Sequence, residues 1–389
     1  MASFDETLRA ATDSRKPVAY GIVCRGVDRR RNVFYQKQSG HRTSNPTSEA
    51  VAGSHFFKIA SATKLITAIA LLQCVDRGLI DLDEPISRVV PELGKLPIIS
   101  YKDNNPATNE FVFEKPTTPV TLRHLLTHTN GNPYDAGSPI LMAWRKSRNE
   151  KSTSWSTSVS EAYQLPLIFN PGDGWTPGGG LEWGGVALSR LNGDISCEEY
   201  MIENIFKPIG SANRTTRGGL EPTTVPSGEN VKSEMGGSGL VMSPDQYIAV
   251  LADIVSEDPR LLSEESVEAL FRPQFWPGSN PLQALCSPEG RRSYEVWSGV
   301  QESDNVNHTL GGLFIPGRQA KFNGQPESML MWHGAMNCSW FASRKSGVAA
   351  VIFCQVAPPI DAKFMELFNE FKKDFWTEWI SHRFWNAVF

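Results

Sequence analysis

Ser61 and Lys64 are the pair of residues in this chain whose types and spacing best fit nucleophilic catalysis. They stand in the order Ser61-Ala62-Thr63-Lys64, where a short β-rich run gives way to a helical pattern. The i, i+3 spacing puts both side chains on one face of a helix, and the free N–H groups at a helix N-terminus favour a serine alkoxide. A buried lysine with a lowered pKa could take the serine proton. The alternative is an N-cap serine beside a solvated lysine.

The elements that must position this pair lie at the two ends of the chain. β-rich runs precede it at 18–24, 32–37 and 56–60. An amphipathic helix is predicted over Ala62–Arg77, ending at Gly78, with Leu65, Ile69 and Leu72 on its apolar face. The capping box Ser3–Glu6 opens a first helix to about Ser14, and an aromatic amphipathic helix covers Asp361–Ile380.

The middle of the chain has a different pattern from its ends. Helical patches separated by Pro/Gly-rich loops are predicted at Thr121–Thr127, Val159–Leu165, Trp183–Leu191, Cys197–Phe206 and Pro244–Ser256. Strands are predicted afterwards at Tyr294–Val300, Thr309–Pro316, Ser328–Trp332, Ser339–Ser343 and Val348–Val356. We therefore predict an α+β fold. Residues 1–79 and 291–389 form an antiparallel sheet subdomain flanked by helices, 80–290 form a mostly helical insert, and together they make one catalytic domain with a cleft between the two.

Composition argues against several classes of function. The 389 residues carry 38 Lys plus Arg against 42 Asp plus Glu, so the net charge of −4 gives no support for nucleic-acid binding. No apolar run is long enough to span a membrane. The first 17 residues lack a signal-peptide core and the six cysteines are scattered, which predicts a cytoplasmic protein with reduced thiols. His124 and His128 lack a third ligand, so no metal site is predicted.

Three longer motifs surround the Ser-x-x-Lys pair. They are Ile59–Lys64 with the following Leu71–Asp83, then Thr121–Gly131, and then Gly236–Asp245. Taken together, they resemble the serine β-lactamase-related family, which includes class C β-lactamases, family VIII esterases, D-alanyl peptidases and fungal transesterases. The likeness is strongest to the fungal transesterases. The resemblance implies the penicillin-binding-protein/β-lactamase fold and an acyl-serine intermediate on Ser61.

One element of that family is missing at its usual position. The family's catalytic Tyr follows a Pro-Gly-x-x-Trp pattern, here Pro171 to Trp175, and the corresponding residue is Pro177. Pro cannot transfer a proton, which leaves three readings. Lys64 acts alone; or Tyr134, Glu182 or His333 substitutes; or the pocket no longer performs acyl transfer. The three glycines 178–180 are expected to widen the cleft for a bulky substrate.

The family's third catalytic element corresponds to Trp332-His333-Gly334-Ala335. By resemblance, His333 would donate to a substrate carbonyl or carboxylate, and N–H groups of Ser61 and Ala335 would form an oxyanion hole. Lys345-Ser346-Gly347 is a rival match that better fits a hairpin turn, and Ser303-Asp304-Asn305 is interpreted as a chance match. The predicted substrate contacts are Tyr134, Trp175, Pro177, Gly178, His333, Gly334 and Ala335.

The expected function is acyl transfer from a thioester or ester to an alcohol, an amine or water, without a cofactor. The resemblance implies a small-molecule substrate of fungal polyketide metabolism, with an acyl-carrier domain of a synthase as a candidate partner. Two alternatives stay open because of Pro177. One is a non-covalent cyclase or isomerase of a secondary metabolite that uses the same pocket. The other is a catalytically dead binding protein.

Overall fold

A seven-stranded antiparallel sheet forms the centre of the computed structural model, which describes residues 3–13, 15–155, 157–211, 232–300, 305–317, 325, 328–356 and 358–388. Its strands are β1 (Gly21–Asp28), β2 (Val33–Gly40), β7 (Asn307–His308), β8 (Leu313–Ile315), β9 (Met329–Gly334), β10 (Cys338–Ser343) and β11 (Val348–Phe353). Their order across the sheet is β2-β1-β11-β10-β9-β8-β7. Two short pairs stand apart, β3 (Phe57–Lys58) with β6 (Val241–Met242), and β4 (Ile98–Tyr101) with β5 (Phe111–Glu114).

Helices cover both faces of the sheet and build the insert. They are α1 (Phe4–Ala11), α2 (Thr63–Asp76), α3 (Leu122–Leu126), α4 (Pro139–Ser147), α5 (Val159–Ala162), α6 (Gly180–Leu191), α7 (Cys197–Met201, extended by one π turn), α8 (Pro244–Val255), α9 (Glu264–Phe271), α10 (Asn280–Cys286), α11 (Pro288–Arg292), α12 (Glu295–Ser298) and α13 (Ala362–Val388). The predicted α+β architecture is confirmed.

The central strands are apolar because helices bury both of their faces. Every residue of β1, β9, β10 and β11 is buried. On one face, Phe341 of β10 packs against Phe375 of α13 with 5.1 Å between ring centroids. On the other face, Tyr247 of α8 packs against Trp340 and Phe353. Helix α8 lies within residues 80–290, the predicted insert, yet it packs against the sheet. The division at 80 and 290 stays a prediction.

Helix α2 is buried on all sides rather than on one apolar face. Every residue from Thr63 to Cys74 is buried, and Gly78 adopts a left-handed φ of 68° just beyond the end of the helix, as its position predicts. The hydrophobic periodicity of the sequence predicts a single apolar face because the Thr and Lys residues of α2 count as polar. Here α6 packs against α2 and the segment before β6 bonds to it, so Lys64 is removed from water.

The predicted strand Tyr294–Val300 is wrong, because the segment forms the short helix α12. Ser298 donates its backbone N–H to the carbonyl of Tyr294, and Gly299 follows with a left-handed φ of 76°. Tyr294 and Trp297, three residues apart, are buried while Val296 is 56% exposed. The burial therefore follows the helical period and not the alternation of a strand.

Several other sequence predictions can be placed in the structure. The Lys345–Gly347 segment forms the predicted turn between β10 and β11, where Gly347 has a φ of 68°. The Ser303–Asn305 triplet lies partly outside the described residues. In the part of the chain that is described, no helix combines the length and apolar character needed to cross a membrane. Within those same ranges, no group of three or more His, Cys, Asp and Glu side chains could hold a metal ion.

Candidate active site

Ser61 lies in a strained turn at the entrance to α2. It occupies a 3-10 turn, Ala60–Ala62, in which Ala60 adopts a positive φ of 45°. Such a conformation costs free energy in a non-glycine residue and is concentrated at functional sites. Tyr247 donates its hydroxyl to the carbonyl of Ala62 at 2.8 Å, which fixes the turn from below. The Ser61 side chain is partly exposed, so a substrate can reach it.

Lys64 lies one turn further along the same helix face and is almost completely buried. Its Nζ lies 3.0 Å from Ser61 Oγ, 3.1 Å from the Tyr134 hydroxyl and 2.8 Å from the carbonyl oxygen of Gly237. Burial lowers the pKa of Lys64 to about 8, although the nearby Glu182 carboxylate acts in the opposite direction. At pH 7 about a tenth of the molecules therefore carry a neutral amine beside Ser61, and the fraction rises with pH.

The Gly237 carbonyl reaches Lys64 because two short strands pair. β6 follows the Gly236–Leu240 segment, and its pairing with β3 lays that segment along the start of α2. Thr63 Oγ1 accepts from Leu240 N at 3.1 Å, and Thr67 Oγ1 donates to the Gly236 carbonyl at 2.5 Å. The threonines of α2 thus hold this segment in place.

Tyr134, which is half-buried, and Glu182 complete a hydrogen-bond network around Lys64. The Tyr134 hydroxyl donates to Glu182 Oε1 at 3.0 Å. Glu182 is fully buried in α6 and also accepts from Gly237 N at 2.8 Å and from Ser238 Oγ at 2.9 Å. Loss of contact with water and the negative charge of Glu182 raise the pKa of Tyr134 well above its ordinary value of 10. Tyr134 is therefore a neutral phenol near pH 7.

Tyr134 stands opposite Pro177 where two segments of the chain pair in a short antiparallel bridge. Pro133 and Gly178 form an antiparallel bridge, and Gly179 donates its N–H to the carbonyl of Asn132 at 2.9 Å. In an antiparallel pair, the residue after a bridge on one segment faces the residue before the bridge on the other segment. A phenol therefore reaches Lys64 from the chain segment that faces Pro177, although Pro177 itself has none.

The glycines beside Pro177 do not widen the cleft, which corrects the expectation from sequence. A Cβ on Gly178 would lie 2.3 Å from the Asn132 carbonyl oxygen and 2.4 Å from Pro133 Cα. A Cβ on Gly179 would lie 2.7 Å from Asn132 Oδ1. The space that these glycines leave is filled by the neighbouring backbone, so they allow the close approach that positions Tyr134.

Gly178→Ala is expected to destabilise the protein and to displace Tyr134, because the added methyl group meets backbone and not a movable side chain. We expect the free energy of unfolding to fall by about 1–3 kcal/mol, together with a loss of esterase activity. The matched control is Gly137→Ala, where no atom lies within 4 Å of the added Cβ. Urea unfolding of both variants checks this, and equal stability of the two would contradict it.

Trp175, a predicted substrate contact, lies in a buried aromatic cluster. Its indole meets His128 and Tyr294 edge-on, at centroid distances of 6.5 and 6.1 Å. His308 and Trp332 join the same cluster. Burial lowers the pKa of His308 to about 4, so its imidazole is neutral. The cluster forms the wall of a small cavity that also borders Lys64. A direct contact between Trp175 and substrate stays a prediction.

His333 does not face the Ser61 side of the sheet, so the geometry gives no support to its predicted contact with substrate, which stays a prediction. Successive residues of a strand point to opposite faces. Trp332 borders the cavity next to Lys64, whereas His333 faces Phe364 of α13, and Trp297 of α12 contacts both rings. Its Nδ1 lies 2.7 Å from Ser339 Oγ, its ring stacks on Trp297, and burial lowers its pKa to about 3. His333 is therefore also unsuited to replace the missing Tyr as a base.

Gly334 and Ala335 lie beside the Ser61 turn, but the space beside Gly334 is not the substrate space that the sequence led us to expect. A Cβ on Gly334 would lie 2.1 Å from the carbonyl oxygen of Ile59. The space next to Gly334 is thus filled by protein backbone and not by substrate, and the glycine lets β9 approach the turn. Ala335 follows in an exposed turn that Asn337 N closes onto the Gly334 carbonyl. Its part in an oxyanion hole stays a prediction.

Three groups of the site were given no role in the sequence predictions. The Gly237 carbonyl and the Ser238 hydroxyl belong to the Gly236–Asp245 motif, so the motif indicated the segment but not what it contacts. Trp155, whose ring centroid lies 4.6 Å from that of Tyr134, was not predicted at all. Its sequence context is a polar loop that contains no recognisable pattern.

Comparison with known proteins supports the enzyme class. Acyltransferase calJ of Penicillium decumbens is 35% identical over 97% of this chain and 98% of that protein. Lovastatin esterase of Penicillium rubens is 29% identical, covering 96% and 98%. Monacolin J acid methylbutanoyltransferase of Aspergillus terreus is 27% identical, covering 81% and 80%. The predicted class, a β-lactamase-like acyltransferase or hydrolase, is confirmed.

The solved structures and the family model agree with this fold. The LovD6 mutant of simvastatin synthase from Aspergillus terreus has a TM-score of 0.82 at 25% identity, covering 97% of this chain and 95% of that one. A penicillin-binding protein homologue from Pyrococcus abyssi, 18% identical, has a TM-score of 0.63, covering 94% and 76%, and supports the fold alone. The family model described as Beta-lactamase matches residues 21–371. The chain belongs to the Beta-lactamase family.

Proposed function

We propose that this enzyme transfers an acyl group through a covalent acyl-Ser61 intermediate, with Lys64 as the general base. The observation that carries the proposal is the set of three contacts made by Lys64 Nζ, to Ser61, Tyr134 and Gly237. A lysine with a pKa of about 8 is neutral often enough to act as a base near physiological pH.

The hydrogen bonds around Lys64 direct its lone pair. A neutral amine has two hydrogens and one lone pair. The Gly237 carbonyl is an acceptor only, and the Tyr134 oxygen is left to accept because its own hydrogen is donated to Glu182. Both amine hydrogens are therefore engaged, and the lone pair faces Ser61 Oγ at 3.0 Å. This is the arrangement that proton removal from a serine requires.

The reaction then follows in two balanced steps. Ser61 Oγ attacks the carbonyl carbon of a thioester or ester while its proton passes to Lys64, and the leaving thiol or alcohol departs with that proton. An alcohol, an amine or water next attacks the acyl-Ser61 carbonyl and gives a proton to Lys64. Lys64 returns it to Ser61 Oγ as the ester bond breaks. Tyr134, a neutral phenol whose hydrogen is donated to Glu182, holds Lys64 in place by accepting one of its hydrogens.

Tyr134 supplies the phenol whose absence motivated the other candidate functions. Its hydroxyl lies 3.1 Å from Lys64 Nζ, a contact that neither Pro177 nor His333 makes among the described residues. We therefore favour the reading in which a residue elsewhere substitutes for the missing Tyr. The case for a non-covalent cyclase, an isomerase or a dead binding protein was built on a site without a phenol, and it loses that support.

The names of the relatives supply the substrate class for the proposal. They include a lovastatin esterase and a methylbutanoyltransferase. We infer that the acyl donor here is a small acyl thioester or ester and that the setting is fungal polyketide metabolism. A donor carried on the acyl-carrier domain of a synthase is part of this proposal, as is a cytoplasmic location. No cofactor takes part in the steps above.

Intact mass spectrometry tests the proposal directly. The protein is mixed with p-nitrophenyl butyrate and quenched in acid within seconds. We expect one added butyryl mass per chain, mapped by peptide sequencing to Ser61. A label on another residue, or p-nitrophenol release without any adduct in the Ser61 peptide after rapid quenching, would count against the covalent mechanism.

The pH dependence of acylation is expected to reflect Lys64 and to respond to Glu182. Because Lys64 must be neutral, the rate should rise with pH through a midpoint near 8 and level off above it. The Glu182 charge stabilises the ammonium form, so Glu182→Gln should move the midpoint to lower pH while lowering the plateau. Ser238→Ala is the matched control, since it removes a hydrogen bond to the same carboxylate without changing the charge. Stopped-flow release of p-nitrophenol measures both profiles, and a midpoint that rises in Glu182→Gln would refute the assignment.

A further inference from the structure

Trp155 stands on the solvent side of the catalytic phenol. Its indole packs against the ring of Tyr134 with 4.6 Å between centroids and an interplanar angle of 38°. Tyr134 in turn contacts Lys64. Although it is a large aromatic side chain, Trp155 is 38% exposed. The part of the indole that Tyr134 does not cover is therefore open to solvent and is not buried in the core.

A buried ion pair fastens the loop that carries this indole. Asp135, the residue after Tyr134, is fully buried and pairs with Arg145 at 2.5 Å. Its carboxylate also accepts from Ser152 Oγ at 2.6 Å, from Thr153 N at 3.2 Å and from Ser154 Oγ at 2.5 Å. The three residues before Trp155 are thus bonded to the neighbour of Tyr134. This fixes the loop relative to the phenol.

The backbone of Trp155 is held in a conformation that its side chain disfavours. Its φ is 59°, in the left-handed region that bulky residues rarely adopt. Such strain persists only where surrounding contacts impose it, and the bonds to Asp135 do so. A costly conformation that exposes a large apolar ring next to Tyr134 points to a functional use of that ring.

We propose that Trp155 is a specificity-determining residue that binds a flat, apolar ring of the acyl acceptor. The inference rests on the proposed function. In the second step the acyl group is held by its bond to Ser61, whereas the acceptor is held by non-covalent contacts alone. Recognition of the acceptor therefore needs a surface beside the phenol, and the face of an indole selects flat apolar rings by stacking and burial. The acceptor class is an alcohol or amine attached to such a ring.

Binding of 2-naphthalenemethanol, without an acyl donor, tests the proposal. By isothermal titration calorimetry, Trp155→Ala should raise the Kd by ~10-fold, whereas Trp155→Phe keeps an aromatic face and should change it by less than about 3-fold. Phe113→Ala is the control, since Phe113 is 49% exposed and its ring contact is with Trp144. No binding to the native enzyme, an unchanged Kd in Trp155→Ala, or an equal loss in Phe113→Ala would overturn the proposal.

Labelling by p-nitrophenyl butyrate separates this inference from the proposed function. Trp155→Ala removes the ring that packs on Tyr134 but none of the hydrogen bonds of Lys64, so it should still acquire the butyryl adduct on Ser61, although more slowly than the native enzyme. If Ser61 is never labelled and Trp155→Ala nevertheless loses binding of 2-naphthalenemethanol, the covalent mechanism fails while the platform stands. If labelling is normal and binding does not depend on Trp155, the platform is wrong and the covalent mechanism stands.

Discussion

Ser61→Ala is expected to lower the rate of p-nitrophenyl butyrate turnover by on the order of 10³-fold or more, and to abolish the acyl adduct. The hydroxyl is the only group of Ser61 that the substitution removes. Ala is compatible with the 3-10 turn, whose neighbours are already Ala60 and Ala62, so the fold should be preserved. The loss should therefore appear in kcat and not in the free energy of unfolding.

Ser238→Ala provides the matched serine control for this result. Ser238 donates to Glu182, and its hydroxyl is not among the groups bonded to Lys64. Its substitution should reduce the rate far less than that of Ser61 and should leave the adduct in place. An adduct that disappears in Ser238→Ala and persists in Ser61→Ala would show that Ser61 is not the nucleophile.

Lys64→Arg is expected to be nearly as damaging as Lys64→Ala, with a loss of about 10²-fold or more in the acylation rate. A guanidinium keeps the positive charge but cannot accept a proton at any pH that the protein tolerates. It is also larger, and the site around Lys64 is closed by Gly237, on which a Cβ would already lie 3.3 Å from Nζ. Single-turnover release of p-nitrophenol measures the rate.

Lys372→Arg separates the loss of a base from the general cost of burying a guanidinium. Lys372 is a fully buried lysine in α13 that donates to the Ser298 carbonyl at 2.9 Å, and burial lowers its pKa to about 7. We expect this substitution to lower stability while the pH profile of acylation stays as in the native enzyme. Retention of most activity in Lys64→Arg would mean that another group removes the serine proton.

The Ser61–Lys64 pair was readable from sequence because its geometry is local. An i, i+3 spacing on a helix determines which side chains are neighbours, whatever the rest of the chain does. The strand and helix pattern at the two ends of the chain predicted the sheet and its covering helices for the same reason. Tyr294–Val300 was misassigned because a segment this short fits both a strand and a helix, and only tertiary packing selects between them.

The role of Tyr134 required the tertiary structure. Sequence could nominate it, with Glu182 and His333, but 70 residues separate it from Lys64. The bridge between Pro133 and Gly178, tight enough to exclude a Cβ, is what brings its phenol to the amine. His333 is adjacent in sequence to Trp332, which borders the Lys64 cavity, yet strand alternation turns it to the far face of the sheet.

By itself, the sequence predicted the family and the α+β architecture, and it paired the proposed nucleophile Ser61 with Lys64, because short-range spacing and apolar pattern are properties of neighbouring residues. The tertiary structure decided the environment of Lys64. Helix α2 is buried on all sides, the pairing of β6 with β3 places the Gly237 carbonyl beside the amine, and Tyr134 and Glu182 form a hydrogen-bond network around it. Burial lowers the pKa of Lys64 to about 8 against the opposing charge of Glu182, and the contacts with Tyr134 and Gly237 direct its lone pair. Both effects depend on desolvation and on contacts between distant segments, which no local pattern encodes.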